Sequence, residues 1–156
     1  MKNVSNNLKN ISITMMDKND IDEILEISSK SFHISWSRNS YENELINPNA
    51  RYFIAKYDNK VIGFAGTWII LDESQITNIA VDPNFRNNKV ASKLLKALIS
   101  YCTKNGCTSF TLEVRESNEP AKNLYLNHGF KIEGLRKGYY QDNKENAIIM
   151  WKRDKQ

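Results

Sequence analysis

The chain lacks the long hydrophobic runs and the dense cysteines that characterise membrane proteins and disulfide-rich scaffolds. No apolar run approaches the roughly 20 residues that a helix needs to span a bilayer. The polar start MKNVSNNLKN has no signal-peptide core. The two cysteines of the 156-residue chain, Cys102 and Cys107, do not form a disulfide framework. We therefore expect a cytoplasmic protein that does not bind a membrane.

The chain also has only a small excess of positive over negative charge. The 22 Lys and Arg residues against 18 Asp and Glu residues leave a formal charge of +4, scattered along the chain. This excess suits an anionic small ligand, and it is too weak to predict direct nucleic acid binding. The chain has only two cysteines and two histidines, and their positions do not match a zinc-ligand spacing, so no metal site is predicted.

Hydrophobic periodicity predicts strands and helices in the order β-α-α-β-β-β-α-β-α-β-β. This order is typical of an α/β domain with a mixed sheet. We expect residues 1–10 to form a flexible polar leader and residues 11–156 to form a single domain. The clearest local signals are a hairpin turn at Asp58-Asn59-Lys60 and helix stops at Gly106 and Gly129.

The segment from Ile76 to Leu95, ITNIAVDPNFRNNKVASKLL, is typical of a buried strand, a short basic loop and the start of an amphipathic helix. Unpaired backbone N–H groups at a helix N-terminus, together with the helix dipole, favour negative charge. Arg86, Lys89 and Lys93 add positive charge there. The segment therefore predicts a site for a phosphate-bearing ligand, although a helix start with ordinary surface lysines has the same pattern.

Three further segments carry motifs: LEVRESN at 112–118, LYLNHGF at 124–130 and YYQDNKENAIIM at 139–150. Together with residues 76–95 they resemble the GCN5-related N-acetyltransferases, and more narrowly the RimI type. The resemblance implies an α/β fold with a mixed, mostly antiparallel sheet flanked by helices. It also implies acetyl-CoA as cosubstrate, no metal, and a protein N-terminus as acceptor, namely the N-terminal alanine of a small-subunit ribosomal protein.

The family's loop pattern is Arg or Gln, two variable residues, Gly, one variable residue, then Gly or Ala. Here it reads RNNKVA at 86–91, with Lys89 at the first glycine position. If that position needs a positive φ, lysine costs roughly 1 kcal/mol, which its ammonium can offset beside a pyrophosphate. The resemblance assigns cofactor binding to Ile79, Ala80, Val81, Asn87, Asn88, Lys89, Val90, Ala91, Ser92 and Asn118. For Asn118, simple helix capping is the alternative.

The chemistry needs a base because a peptide α-amine, with a pKa of about 8, is mostly protonated at neutral pH. The resemblance places the proton acceptor at Glu113 and the proton donor to the departing thiolate at Tyr125. Strand alternation puts Glu113 on one face with Thr111 and Arg115. Without the resemblance, Glu113 would be read as a solvated strand residue and Tyr125 as core. A tyrosine can, however, bury its ring and still present its hydroxyl to a cleft.

The resemblance assigns three aromatic residues to the side of the site that binds the acceptor: Trp36, Tyr139 and Tyr140. On residue type alone these would be core or strand positions. Ser35 replaces the proline that usually precedes the tryptophan, which affects the stiffness of that loop. Asp72 and Glu73 either meet a basic peptide or lie at a strand junction.

The resulting hypothesis is an acetyl-CoA-dependent N-acetyltransferase that acts on a protein N-terminal α-amine by direct transfer in a ternary complex. Two alternatives stay open at this point. One is an acetyltransferase for small-molecule amines on the same fold. The other is a non-catalytic module that binds acyl-CoA.

Overall fold

A seven-stranded sheet and four helices make up the computed structural model, which describes residues 8–32 and 36–154. The strands are β1 (Ser12–Met15), β2 (Ala50–Tyr57), β3 (Lys60–Ile70), β4 (Glu73–Val81), β5 (Ser109–Arg115), β6 (Lys131–Arg136) and β7 (Ala147–Arg153). The helices are α1 (Ile21–Ser31), α2 (Arg38–Ile46), α3 (Val90–Lys104) and α4 (Glu119–Asn127). The element order that the hydrophobic periodicity predicts is confirmed.

The sheet has the strand order β1-β2-β3-β4-β5-β7-β6. Every neighbouring pair is antiparallel except β4 and β5, which run parallel because α3 connects them. The predicted mixed, mostly antiparallel sheet is therefore confirmed. Only three residue pairs join β4 to β5: Glu73 with Ser109, Ser74 with Phe110, and Gln75 with Thr111. Beyond these pairs the two strands separate and leave a cleft.

Turn residues explain where the elements end. Asp58 and Asn59 have φ angles of 50° and 62°, as a two-residue hairpin turn between β2 and β3 requires. Gly106 and Gly129 have φ angles of 95° and 90° just beyond α3 and α4. Because side chains disfavour that conformation, these glycines end the helices as the sequence predicts.

The sheet separates two hydrophobic cores, and alternate residues of β2 point into one or the other. Phe53 lies in the core beneath α3, and Ile54 lies in the core beneath α1 and α2. The prediction of a buried strand at the start of the Ile76–Leu95 segment is only partly correct. Ile76 and Ala80 are buried, but the rest of that stretch is half-buried because it borders the cleft.

Leu8 is the first residue that the structure describes, and it contacts the folded domain. It packs against the core beneath α3, and its backbone N–H donates to Asn88 Oδ1 at 3.4 Å. Burial of its apolar side chain against the core stabilises this contact. Ser35, where the sequence departs from the family pattern, lies outside the described residues.

Candidate active site

Two connected cavities occupy the cleft between β4 and β5. The first, about 640 Å³ and here called the strand cavity, is lined by the second half of β4, by β5, and by parts of α4 and the β6–β7 connection. The second, about 750 Å³ and here called the loop cavity, is lined by the end of β4, the loop before α3 and the start of α4. Both include Ile79, Ala80 and Val81, so one path runs from the loop into the divided sheet.

A β-bulge shapes the wall that β4 contributes. The register between β3 and β4 shifts so that Thr77 has no partner across β3. The Tyr52 hydroxyl, which comes from β2 and reaches across β3, lies 3.4 Å from Thr77 Oγ1 and supports the bulge. The Tyr52 ring fits there because Gly66 has no side chain, since a Cβ at Gly66 would lie 2.3 Å from the ring. The bulge redirects the end of β4 toward the cleft.

The loop before α3 contains two residues in the left-handed conformation. Asn87 has φ 66°, and Lys89, the residue that precedes α3, has φ 60°. The Lys89 position therefore does require a positive φ, and lysine carries the predicted cost of about 1 kcal/mol. Asn88 between them is buried, and its Nδ2 donates to the carbonyl oxygens of Phe85 and Arg86 at 3.3 and 3.1 Å. Its side chain holds the loop in shape.

The loop cavity brings together nine of the ten residues that the resemblance assigns to cofactor binding. They are Ile79, Ala80, Val81, Asn87, Lys89, Val90, Ala91, Ser92 and Asn118. Asn88 is the exception because its side chain points into the loop. Asn118 also caps α4, with its Oδ1 accepting from the Ala121 N–H at 3.2 Å. The capping alternative is therefore correct, and it is compatible with a place in the cavity wall.

Ser92, in the first turn of α3, contacts the end of α4. Its Oγ lies 2.9 Å from Nε2 of His128, the residue that caps the C-terminus of α4. Burial, and then the positive charge of Lys96, lower the pKa of His128 below its ordinary value. A neutral imidazole therefore joins the two helices that flank the loop cavity.

Glu113 lies in the strand cavity with a side chain that is 33% exposed. It forms an ion pair with Arg136 Nε on β6 at 3.1 Å. The strand order brings these residues together, because Glu113 is opposite Ile149 on β7 and Ile149 is opposite Gly134 on β6. Sequence reasoning missed Arg136, because the element order alone does not predict which strands bring it next to Glu113. The carboxylate is accessible and already faces a cation.

Tyr125, on α4, lines the same cavity while its ring is buried and only 5% of the residue is exposed. The ring packs against Phe130 at 5.6 Å between centroids. Burial, together with the nearby Tyr140, raises the pKa of Tyr125 well above its ordinary value. The side chain of Tyr125 nevertheless forms part of the wall of the strand cavity. Its hydroxyl is a protonated donor at neutral pH.

The three aromatic residues predicted for the acceptor side occupy different places. Tyr140 lines the strand cavity. Tyr139 packs edge-on against Tyr140 at 5.2 Å and lies outside the lining. Trp36 packs against Tyr41 at 5.6 Å, in the core beneath α1 and α2, and it too lies outside. Phe32, at the end of α1, lines the cavity instead.

Asp72 lies at a strand junction, away from both cavities. Its carbonyl oxygen accepts from the N–H groups of Thr108 and Ser109, and its Oδ2 accepts from the Thr108 hydroxyl at 3.2 Å. These bonds fix the end where β4 and β5 are still paired. Of the two readings left open for this acidic residue, the strand junction is therefore the correct one.

Residues 21–130 match the Acetyltransferase (GNAT) family. The chain belongs to this family. It is therefore an acyl-CoA-dependent N-acetyltransferase, as the motifs predict. Within residues 8–32 and 36–154, no three His, Cys, Asp or Glu side chains come together as metal ligands. None of the helices in the described chain is long and apolar enough to cross a bilayer.

Individual relatives resemble the chain over most of its length. A ribosomal protein bS18-alanine N-acetyltransferase from Haemophilus ducreyi is 38% identical over 136 residues, covering 84% of this chain and 92% of the relative. The protein of the same name from Escherichia coli K12 is 34% identical over 143 residues, covering 89% and 95%. The crystal structure of the ribosomal-protein-S18-alanine N-acetyltransferase from Escherichia coli superposes with a TM-score of 0.86 at 30% identity, covering 94% of this chain and 95% of that one.

Proposed function

We propose that this enzyme transfers an acetyl group from acetyl-CoA to the N-terminal α-amine of a protein, specifically the N-terminal alanine of ribosomal protein bS18. The observation that carries the proposal is the meeting of two cavities at the divided sheet, with Glu113 and Tyr125 in the wall of one and the basic loop in the other. The near full-length similarity to enzymes named for this activity supports the acceptor. The proposal places the enzyme in the cytoplasm and treats residues 11–156 as one catalytic domain.

The loop cavity fits acetyl-CoA. Backbone N–H groups at the start of α3, with the side chains of Arg86 and Lys89, suit its phosphates. The end of β4, from Ile79 to Val81, forms the path from the loop to the strand cavity. When bound, acetyl-CoA supplies an activated acetyl thioester. In this proposal a backbone N–H near Val81 stabilises the negative charge that develops on the acyl oxygen.

Proton transfers are assigned to the two residues of the strand cavity. Glu113 removes a proton from the acceptor ammonium, directly or through a water, so that the neutral amine can attack. Tyr125 donates its hydroxyl proton to the sulfur that leaves. A lysine side chain, with a pKa of about 10.4 against about 8 for an α-amine, would cost roughly 3 kcal/mol more to deprotonate at neutral pH. This difference favours the α-amine as acceptor.

The Glu113→Gln variant tests the base. We expect kcat/KM at pH 7 to fall at least about a hundredfold and to recover in part at pH 9, where the amine deprotonates without help. The measurement is the steady-state rate of peptide acetylation between pH 7 and pH 9. Glu133→Gln is the matched control, because Glu133 also pairs with an arginine of another strand but lines neither cavity. Equal profiles for Glu113→Gln and the wild type would remove Glu113 from the mechanism.

The Tyr125→Phe variant tests the acid. The ring still fills its buried position against Phe130, so we expect acetyl-CoA affinity to hold while the single-turnover rate falls about tenfold or more. Rapid-quench kinetics and calorimetric titration give the two quantities. Tyr101→Phe is the control, since the Tyr101 hydroxyl accepts from Arg51 Nε and lines neither cavity. A wild-type single-turnover rate in Tyr125→Phe would contradict the assignment.

The acceptor is tested with a panel of amines read by mass spectrometry. One peptide carries the organism's own bS18 N-terminus, and its control is the same peptide with the α-amine blocked and one lysine free. Polyamines and aminoglycosides complete the panel. We expect turnover of the unblocked peptide only. Turnover of small amines alone would overturn the acceptor, and acetyl-CoA binding without any transfer would identify a non-catalytic module.

A further inference from the structure

The connection between β6 and β7, residues 137–146, forms one wall of the strand cavity. Tyr140, Gln141 and Asp142 all line that cavity. Since the connection contains no strand or helix, side chains from other elements must hold it in place. One residue contacts four members of the connection.

That residue is Arg115, the last residue of β5 and two residues beyond the proposed base. Its Nη2 donates to Asp142 Oδ2 at 3.1 Å. Its Nη1 donates to Glu145 Oε1 at 3.4 Å and to Asn143 Oδ1 at 3.3 Å. The guanidinium carbon lies 3.9 Å from the centroid of the Tyr140 ring. A planar guanidinium can satisfy several carboxylates and stack on a ring at the same time, which an ammonium cannot do.

Glu145 attaches the connection at a second point. Its Oε2 accepts from the Ser117 N–H at 2.7 Å, and its carbonyl oxygen accepts from the Tyr140 N–H at 3.2 Å. The hydrogen bonds from Ser117, followed by those from Arg115 and Asn143, lower the pKa of Glu145 to about 2. Glu145 itself lines neither cavity. It therefore acts on the cavity only through its neighbours.

We propose that Arg115 is a positioning residue for the acceptor: it holds residues 137–146 against the strand cavity, so that Tyr140 and Asp142 form a wall before the acceptor arrives. This inference rests on the proposed function, because it concerns the acceptor side of the same site. Without Arg115 the connection must become ordered when the acceptor binds, and that ordering weakens binding. The loop cavity does not include the connection, so acetyl-CoA binding stays unchanged.

Two variants separate the role of Arg115 from general stability. Arg115→Met removes the whole set of contacts, and Glu145→Gln weakens it from a residue outside the cavity. We expect amide hydrogen exchange over residues 137–146 to speed up in both. The acceptor KM rises about tenfold in Arg115→Met and severalfold in Glu145→Gln, with kcat within about twofold. Arg115→Lys restores only part of the loss, because lysine keeps the charge without the planar fork.

Arg153→Met is the matched control. Arg153 also pairs with a carboxylate, Glu133, and lies 4.4 Å from the Trp151 ring, but it lines neither cavity. We expect wild-type KM and wild-type exchange over residues 137–146 in this variant. If Arg115→Met fails to fold, Glu145→Gln carries the test on its own.

Two results would overturn the proposal. Faster exchange with an unchanged KM would mean that the connection does not present the acceptor wall. A fall in kcat with an unchanged KM would mean that Arg115 acts on the chemical step. If the wild type does not turn over the bS18 peptide, the proposed acceptor has failed, and KM is then measured with the amine that the panel identifies.

Discussion

Lys89 adopts a left-handed backbone conformation that glycine adopts at much lower cost. Lys89 lies directly before α3 and has a φ of 60°. Asn87, in the same loop, is left-handed as well. A lysine is nonetheless present, with an exposed side chain in the wall of the loop cavity. The backbone strain of Lys89 lowers the stability of the fold, whereas its charge favours the binding of phosphate.

Replacing Lys89 by glycine separates strain from charge. We expect Lys89→Gly to raise the free energy of unfolding by about 1 kcal/mol and to weaken acetyl-CoA binding severalfold. Asn87→Gly is the control, because it relieves similar strain without removing a charge. Denaturant unfolding and calorimetric titration provide the two numbers. An unchanged affinity in Lys89→Gly would show that the ammonium is not an anchor for the phosphates.

At the residue scale, most of the residues that the motifs predicted for the site line a cavity, whereas Asn88, Tyr139 and Trp36 do not. The motifs do not predict what these side chains touch. The glycine of the family's loop pattern raised the question of a positive φ at Lys89, and the structure has that conformation there. The motifs did not predict the ion pair between Glu113 and Arg136, since Arg136 comes from β6 and reaches Glu113 only through the strand order. Trp36 was assigned to the acceptor side by motif position, yet its ring packs against Tyr41 because core burial is available to it there.

At the scale of elements, the bulge in β4 depends on a residue in β3. Gly66 leaves room for the Tyr52 ring, and the Tyr52 hydroxyl contacts Thr77 at the bulge. The pattern of apolar residues predicts both strands, because burial on alternating faces sets that pattern. It does not predict the bulge, which depends on one extra residue and on packing between strands.

Substituting Gly66 by alanine should therefore damage both packing and the site. The new Cβ would lie 2.3 Å from the Tyr52 ring, so we expect about 1–3 kcal/mol of lost stability and a lower kcat/KM. Gly134→Ala is the control: its Cβ would meet the Ile149 Cδ1 methyl at 3.2 Å, and that flexible end can move. Denaturant unfolding of both variants tests the difference. Equal stability of the two would contradict this role for Gly66.

For the whole molecule, two groups link stability to pH. Folding lowers the pKa of His128 from 6.5, through burial and Lys96, and lowers that of Glu145 from 4.5 to about 2, through Ser117 and Arg115. A group whose folded pKa is depressed contributes stability above its unfolded pKa and loses it as pH falls. The contribution of His128 therefore declines below pH 6.5, and that of Glu145 declines between pH 4.5 and about 2.

A melting-temperature profile tests this linkage. We expect the wild type to lose stability in two stages on acidification, the first below pH 6.5 and the second below pH 4.5. His128→Gln should remove the first stage while keeping a polar partner for Ser92, and Glu145→Gln should reduce the second. Thermal unfolding followed by circular dichroism from pH 3 to pH 8 makes the measurement. An unaltered first stage in His128→Gln would assign it to another group.

The short pairing between β4 and β5 has a mechanical consequence for the whole sheet. Three residue pairs connect the half that contains β1 to β4 with the half that contains β5 to β7, and beyond them no ladder hydrogen bond joins the two halves. There the halves are held together by the core beneath α3, to which both contribute, as Phe53 and Phe110 show. A ligand that lies in the cleft contacts both halves, so substrate binding adds a further connection between them.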